Sequence, residues 1–366
     1  MDRVGGLYIL DADALPLIYG PDERRDIDRR VRQVAVPQTA KSIAEHPERL
    51  RDVEVLFSGW GAPVADEAFL EAAPRLRAIF YGAGSVAGWI TDAVWQRGVV
   101  VSSAYAANAV PVAEYALSVI LFSLKHGWSL VCQTRQQRVF PDRNGAPGCY
   151  GSTVGLVSLG VTARTLLRLL RPFDLKVIAY DPYVGQSEAE ALGVDIVSLD
   201  ELFARSDVVS CHTPLLEETV GMITGEHLAS MKRGATFVNT ARGQLVRERE
   251  MTEVLSRRAD LCAVLDVAAV EPPEQASPLY ELPNVVLTPH IAGSVGNECR
   301  RMGRYMVEEL ERFLGGQPLR WAVTPEMTAV SSHRPLRRRA GKVTIGPAAA
   351  AAAAAARKAD GAAILP

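Results

Sequence analysis

Short apolar runs alternate with polar stretches over the first hundred residues of the chain. The apolar runs fall at 7–10, 53–57, 76–80 and 99–101. Their length and their mainly apolar character are typical of parallel strands buried on both faces. Residues 41–50 and 64–74 between them mix apolar and polar side chains, as surface helices do. The pattern predicts a small α/β unit.

A long apolar helix is predicted over 111–130, with Pro111 near its first turn and Glu114 in that turn. From residue 153 to about residue 290 strands and helices alternate regularly, which predicts a parallel, doubly wound sheet. The predicted strands are 154–159, 176–180, 207–210, 235–239, 261–265 and 285–287, and the predicted helices are 161–172, 199–205, 224–231, 246–257 and 296–314.

Composition limits the classes of protein that fit. A length of 366 residues exceeds what one hydrophobic core organises, so two domains are expected. The net charge of −2 gives no overall basic field, which argues against nucleic acid or an anionic membrane as a partner. No apolar run approaches the roughly 20 residues that span a bilayer. The five cysteines are scattered and form no Cys-x-x-Cys pair, which favours a reducing cytoplasm and predicts neither disulfides nor a metal site.

A strand that runs into a helix at Gly160 is the first candidate site. Compared with the dinucleotide fingerprint Gly-x-Gly-x-x-Gly, the chain has Ser158, Gly160 and Ala163. Gly160 is kept where the backbone must approach a pyrophosphate, and Ala163 is tolerated where helix and strand pack, but Ser158 replaces the turn glycine. Asp181 follows 21 residues after Gly160, at the end of the next strand. A carboxylate there accepts ribose hydroxyls and repels a 2′-phosphate, which favours NAD over NADP.

Polar side chains follow three further strands. Arg242 comes after the strand 235–239, and an arginine there can bind a carboxylate in a bidentate manner and polarise a carbonyl. Asp266 and Glu271 follow the next strand, and His290 follows the last. A histidine can donate a proton to a developing alkoxide, and a paired glutamate fixes its tautomer.

Together these motifs resemble the D-isomer-specific 2-hydroxyacid dehydrogenase family, which includes phosphoglycerate, glyoxylate/hydroxypyruvate and D-lactate dehydrogenases. The resemblance covers roughly residues 50–320. The matching segments, in chain order, are Asn108–Glu114, the turn at Gly160, Asp181, His212–Leu215, Asn239–Gly243, Asp266 to Glu271 and Thr288–His290.

The resemblance implies an architecture of two α/β domains, Rossmann-like or flavodoxin-like, with the active site in the cleft between them. Residues 1–105 and 296–325 would form a discontinuous substrate domain, and residues 106–295 the NAD-binding Rossmann domain. Homodimers through the cofactor domain are usual in the family. Residues 326–366, with three consecutive arginines and nine consecutive alanines, are predicted to be a disordered tail.

The resemblance also implies roles. Arg242 would hold the substrate carboxylate and carbonyl, His290 would be the acid for reduction and the base for oxidation, and Glu271 would pair with His290. NAD would be bound by Gly160, Val161, Thr162, Asp181, Thr213, Thr240, Ala241, Asp266, His290 and Gly293, with Val161 and Thr162 offering backbone N–H groups to the pyrophosphate and Asp266 near the nicotinamide.

The chain departs from the family pattern in the substrate loop. Backbone amides near Gly84 and Ser85 are expected to bind the substrate carboxylate, but Tyr81 and Trp89 beside them leave substrate size and identity open. Two alternatives also stay open: a phosphite dehydrogenase of the same family, and an NAD-sensing binding protein similar to the family's transcriptional corepressors. A formate dehydrogenase is disfavoured, because those relatives have glutamine where this chain has Glu271.

Overall fold

The computed structural model describes residues 3–143 and 145–329. The chain divides into two compact units. Of the described residues, 3–109 and 294–329 form the first unit, and those within Val110–Gly293 form the second. The predicted division lay at 105/106 and 295/296. The basic, alanine-rich segment 330–366 lies outside the described residues.

In chain order the strands of the described residues are β1 Val4–Ile9, β2 Val31–Gln33, β3 Val55–Ser58, β4 Ala78–Tyr81, β5 Val100–Ser103, β6 Thr153–Val157, β7 Lys176–Tyr180, β8 Asp195–Ile196, β9 Val208–Cys211, β10 Thr236–Asn239, β11 Cys262–Leu265, β12 Val285–Leu287 and β13 Ala322–Val323. The α-helices are α1 Ala14–Ile18, α2 Pro21–Asp28, α3 Ala40–Glu45, α4 Glu67–Ala72, α5 Asp92–Gln96, α6 Tyr105–Ser123, α7 Gly127–Gln137, α8 Val161–Leu170, α9 Gln186–Leu192, α10 Leu199–Arg205, α11 Gly225–Ser230, α12 Glu248–Arg257, α13 Cys299–Leu314 and α14 Pro325–Ala329.

The first unit contains a six-stranded sheet in the order β2-β1-β3-β4-β5-β13. Its first five strands are parallel and have the flavodoxin-like order 2-1-3-4-5. Successive residues of β1 enter different cores, Leu7 and Ile9 one and Tyr8 another, so the sheet is buried on both faces. This burial explains why these strands are apolar at nearly every position.

The second unit contains a seven-stranded, fully parallel sheet in the order β8-β7-β6-β9-β10-β11-β12. Counted within the unit this order is 3-2-1-4-5-6-7, the Rossmann arrangement with one added strand. The order in which strands are added reverses between β6 and β9, and ligands of open α/β sheets bind at that switch point, beyond the carboxyl ends of the strands. The predicted α/β fold with two parallel sheets is confirmed, with the exception of β13, which pairs with β5 in the antiparallel direction.

The long apolar helix differs from its prediction in two respects. Helix α6 begins at Tyr105 and contains Pro111 in its interior, instead of beginning at Pro111. It ends at Ser123, and residues 127–137 form the separate helix α7. With 19 residues and a mean hydropathy of 1.4, α6 is long and apolar enough to cross a membrane by length and composition alone. Half of that window is buried inside the protein, as in the core helix of a folded domain.

Candidate active site

His290 and Glu271 pair beyond the carboxyl ends of β12 and β11. The His290 Nδ1 atom lies 2.6 Å from Glu271 Oε2, and the two side chains are 50% and 38% exposed. An ionised carboxylate only accepts hydrogen bonds, so Nδ1 must carry the donated proton. Proton exchange with a ligand therefore falls to Nε2 of the same ring.

Asp266 holds the segment that carries His290. Its Oδ1 accepts hydrogen bonds from Thr288 Oγ1 at 2.7 Å and from the Ile291 N–H at 2.8 Å, and its Oδ2 accepts from the Ala292 N–H at 2.8 Å. His290 has φ +55°, in the left-handed region, which costs a non-glycine residue roughly 1–2 kcal/mol. The buried Asp266 carboxylate thus keeps the catalytic candidate in a conformation that it would not adopt alone.

Tyr115 extends this network into helix α6. Its hydroxyl lies 2.8 Å from Thr288 Oγ1, whose own proton goes to Asp266. Burial raises the pKa of Tyr115 above its ordinary value, so the phenol stays neutral and can donate. The sequence interpretation assigned no role to Tyr115. The signal was a tyrosine within an apolar helix, because a buried phenol needs a hydrogen-bond partner.

Arg242 is positioned by the turn that follows β10. The buried Asn239 side chain accepts from the Ala241 N–H at 3.0 Å and donates to the Arg242 carbonyl at 2.9 Å, which closes the turn. The Arg242 Nη1 donates to the Ala241 carbonyl, but its Nε is buried without a hydrogen-bond partner. Burial lowers the pKa of Arg242, and the charge of Glu271 opposes that shift. An unsatisfied buried guanidinium N–H is costly and indicates a site for an anion.

Gly243 brings the Arg242 turn against the loop that carries Glu271. A Cβ at Gly243 would lie 1.9 Å from the carbonyl carbon of Ala268, so only glycine permits this contact. Glu271 Oε1 also accepts from the Ala268 N–H at 3.3 Å. Arg242, Glu271 and His290 are therefore brought together at one edge of the second sheet, as the sequence predicted.

A pocket of about 300 Å³ adjoins the His290–Glu271 pair. Its walls are mainly apolar, and they are formed by Asp266, Ala268, Glu271, Pro272, Pro273, Tyr280, Leu287, Thr288, Pro289 and His290. His212, which follows β9, differs from His290 in its surroundings. Burial lowers the pKa of His212 to about 4, so this imidazole is neutral near pH 7 and is unsuited to proton transfer there.

The nucleotide turn leads into helix α8 at Gly160. Gly160 is the N-cap residue, no side chain caps the helix, and its first turn contains no acidic residue. A Cβ added at Gly160 would meet nothing within 4 Å, so there is open space beside the first residue of this turn. Open amides at a helix N-terminus suit a pyrophosphate. These features fit the predicted NAD-binding role of the three residues.

Asp181 lies at the end of β7, where the sequence interpretation placed it. Its Oδ2 accepts from the Leu159 N–H at 2.8 Å and its Oδ1 from the Tyr183 N–H at 2.8 Å. The buried carboxylate thereby fixes the turn before α8, a role that the sequence did not reveal. A carboxylate oxygen can accept two hydrogen bonds, so this structural role is compatible with ribose binding.

The remaining predicted NAD contacts follow β9, β10 and β12. Thr213 Oγ1 accepts from Ser158 Oγ at 3.1 Å, which joins two of the strand ends. Thr240 Oγ1 is buried without a hydrogen-bond partner, which is consistent with a hydroxyl that binds a ligand. Gly293 directly follows Ala292 of the segment that Asp266 holds. The orphaned polar atoms of Thr240 and Arg242 fit a bound polar group.

Gly84 and Ser85 belong to the first unit, in the loop that follows β4. Ser103 Oγ donates to the carbonyls of Ala83 and Gly84, and Ser85 Oγ accepts from the Ala87 N–H at 3.3 Å. The loop backbone is thus fixed by hydroxyl groups. The rings of Tyr81, at the end of β4, and Trp89, in the same loop, pack together with their centroids 4.8 Å apart.

Comparison with known proteins agrees with this geometry. Residues 117–292 match the model of the D-isomer specific 2-hydroxyacid dehydrogenase, NAD binding domain. The chain is 31% identical to a glyoxylate reductase of Korarchaeum cryptofilum, over 74% of this chain and 82% of that protein. It is 34% identical to a D-3-phosphoglycerate dehydrogenase of Mycobacterium tuberculosis, over 78% of this chain and 53% of that protein, so it spans about half the length of this relative.

A solved structure gives the same result. The apo D-mandelate dehydrogenase of Rhodotorula graminis superimposes with a TM-score of 0.75 at 25% identity, over 88% of this chain and 98% of that one. The chain belongs to the D-isomer-specific 2-hydroxyacid dehydrogenase family. Its second unit carries the NAD-binding domain of that family.

Proposed function

We propose that the protein is an NAD-dependent dehydrogenase that transfers a hydride between nicotinamide and C2 of a small 2-hydroxy or 2-keto acid of the D series. One observation carries the proposal: His290 and Glu271 pair at 2.6 Å beside the half-buried Arg242, whose Nε has no protein partner. An anion-binding guanidinium next to an acid–base histidine suits reduction of a carbonyl beside a carboxylate.

In the direction of reduction, Arg242, His290 and Glu271 have different roles. Arg242 would bind the carboxylate and polarise the keto oxygen, and reduced NAD, when bound, would supply the hydride for C2. His290 Nε2 donates the proton that converts the oxygen into a hydroxyl. Glu271 stabilises the protonated ring before that transfer and fixes its orientation through Nδ1. In oxidation His290 accepts the proton instead.

NAD would be held by the amides at the start of α8 and by Asp181. The buried Asp181 carboxylate supports a preference for NAD, because a 2′-phosphate would meet its negative charge. The printed activities of the relatives concern 3-phosphoglycerate, glyoxylate and mandelate, all of which are 2-hydroxy acids or their 2-keto counterparts. This common chemistry supports the reaction class.

The test is oxidation of NADH, followed by its absorbance, with glyoxylate, hydroxypyruvate, pyruvate and phenylpyruvate, with NADPH in parallel. Arg242→Ala and His290→Ala are each expected to lower kcat/KM by about a thousandfold or more, since each removes a group needed in the transition state. NADH affinity, measured by fluorescence, should persist in both. Arg249→Ala is the matched control, because that side chain is 92% exposed on α12. Near wild-type turnover in His290→Ala would refute its role.

We also propose a homodimer and a cytoplasmic location. Large apolar side chains are exposed along the segment from the end of α6 to the start of β6, namely Phe122, Val131, Val139, Phe140 and Tyr150. Monomers rarely expose a cluster of this kind, so it supports an interface with a second copy. All five cysteines are free thiols, which supports a reducing compartment.

A further inference from the structure

The loops beyond the carboxyl edge of the first sheet contain no basic side chain. These loops, which follow β1 to β5, are residues 10–13, 34–39, 59–66, 82–91 and 104, and none of their residues is Lys, Arg or His. At the opposite edge an arginine precedes each of the same five strands, namely Arg3, Arg30, Arg51, Arg77 and Arg97. The loops at the edge where ligands of α/β folds bind therefore contribute no positive charge of their own.

Three of these loops form one continuous surface. The Asp11 N–H donates to the Trp60 carbonyl at 2.8 Å, which joins the loops after β1 and β3. The Ala65 N–H donates to the Trp89 carbonyl at 2.7 Å, and Thr91 Oγ1 donates to the Ala65 carbonyl at 2.6 Å, which join the loops after β3 and β4. We call residues 10–13, 59–66 and 82–91 the carboxyl-edge surface.

The carboxyl-edge surface is apolar and acidic. Trp60 and Val64 on it are 38% and 50% exposed. Trp89, also part of it, packs its ring on that of Tyr81. The charged groups that it exposes to solvent in the loop after β1 are Asp11 and Asp13. The loop after β4 contributes Gly84 and Ser85 to this surface, the residues expected to contact substrate.

One of the bases that follow the loop after β2 is already hydrogen-bonded within the first unit. Arg49, which lies past the loop of the edge strand β2, donates from Nη1 to Gln38 Oε1 at 2.6 Å. A phosphate or second carboxylate bound against these loops would lose part of its hydration and meet Asp11 and Asp13, with no counter-charge from the loops themselves. Burying such a charge without a cation is unfavourable, whereas an aromatic or branched alkyl group gains by leaving water.

We infer that the substrate is a 2-keto or 2-hydroxy monocarboxylate whose remaining substituent is aromatic or branched and apolar, and that Trp60 and Val64 select it. The inference rests on the proposed function, since it names the substrate class of that reaction. It separates this chain from an activity on phosphorylated acids, although its relatives include phosphoglycerate dehydrogenases.

The experiment compares kcat/KM for three 2-keto acids with the full chain and NADH: phenylpyruvate, glyoxylate and 3-phosphohydroxypyruvate. Phenylpyruvate is expected to exceed the phosphorylated acid by about a hundredfold, because the latter would have an unpaired dianion. Trp60→Ala should lower kcat/KM for phenylpyruvate by about tenfold and leave glyoxylate, which has no substituent, within about twofold. Val100→Ala is the control, since Val100 is equally exposed (38%) but begins β5 at the opposite edge.

The outcomes separate the two proposals. A preference for 3-phosphohydroxypyruvate would overturn the inference while the dehydrogenase reaction stands. An equal loss for phenylpyruvate and glyoxylate in Trp60→Ala would also overturn it, because that result shows a general disturbance and no contact with the substituent. If no 2-keto acid is reduced while NADH binds, the proposed function itself is wrong and the inference falls with it.

Discussion

The turn before helix α8 places a serine where the backbone favours glycine. Ser158 has φ +74°, and a non-glycine residue in the left-handed region costs roughly 1–2 kcal/mol. Its hydroxyl donates to Thr213 Oγ1 at 3.1 Å, and its N–H donates to the Tyr180 carbonyl at 2.8 Å. The hydrogen bonds offset part of the strain, which explains how the fingerprint survives a serine at this position.

We therefore predict an order of stability for Ser158 variants. Ser158→Gly removes the strain but also one hydrogen bond and adds entropy to the unfolded chain, so its free energy of unfolding should stay within about 1 kcal/mol of wild type. Ser158→Val keeps the left-handed backbone with a β-branched side chain and should lose about 2 kcal/mol or more. Urea unfolding of the three proteins measures this order. Equal stability of the glycine and valine variants would contradict it.

At this scale the sequence predicted which residues meet but not how they are held. Arg242, Glu271 and His290 each follow a parallel strand, and strand ends of one sheet share an edge, so their proximity could be predicted. The Asp266 carboxylate is expected near the nicotinamide, and it also accepts three hydrogen bonds from residues 288–292, which the sequence did not predict. Such contacts depend on side-chain directions in a loop, and no periodicity encodes them.

Among elements, helix α6 supports the segment that carries His290. The Tyr115 hydroxyl bonds Thr288 Oγ1, which bonds Asp266, and both hydrogen bonds are shorter than 2.9 Å. Because His290 sits in left-handed backbone, its segment needs these contacts to stay in place. Tyr115 is a positioning residue in this arrangement, and it acts on His290 through Thr288.

Tyr115→Phe is predicted to lower kcat by about threefold to tenfold, which corresponds to a hydrogen bond of about 1 kcal/mol that positions the acid. The KM for NADH should not change, and the pH dependence of kcat should shift, since the setting of His290 is altered. Tyr305→Phe is the control, because Tyr305 belongs to the other unit, where its ring stacks on Trp321. A lower melting temperature with unchanged kcat and pH profile would show that the hydroxyl is merely structural.

The strands that the sequence missed are the short ones. β8 and β13 have two residues each and β2 has three, too few for an apolar pattern to show. β13 is held next to β5 by Glu309 of α13, which is distant in sequence from β5. Its fully buried carboxylate accepts hydrogen bonds from the Trp321 N–H at 3.0 Å and from Ser102 Oγ at 2.8 Å. A glutamate in a helix is usually exposed on the surface, so the sequence did not predict this buried contact.

For the whole molecule, the feature that points to an assembly is a segment of the second unit with highly exposed apolar side chains. Between α7 and β6, Phe140 is 95% exposed and Val139 is 56% exposed. Exposed aromatic side chains at this density are typical of an interface. Since helix α7 and this segment belong to the same unit, the surface can be self-complementary in a two-fold dimer.

We predict that analytical ultracentrifugation of the wild-type protein gives a mass of twice 39.6 kDa, and that Phe140→Asp shifts the mass toward that of the monomer. The reason is that a buried carboxylate without a partner would be introduced twice in a symmetric interface. Leu314→Asp is the control, because Leu314 is 40% exposed at the end of α13 in the other unit. A Phe140→Asp protein that remains dimeric would place the interface elsewhere, and a monomeric wild type would refute the dimer. Neither result would alter the assignment of the reaction, because Arg242, Glu271 and His290 all belong to one chain.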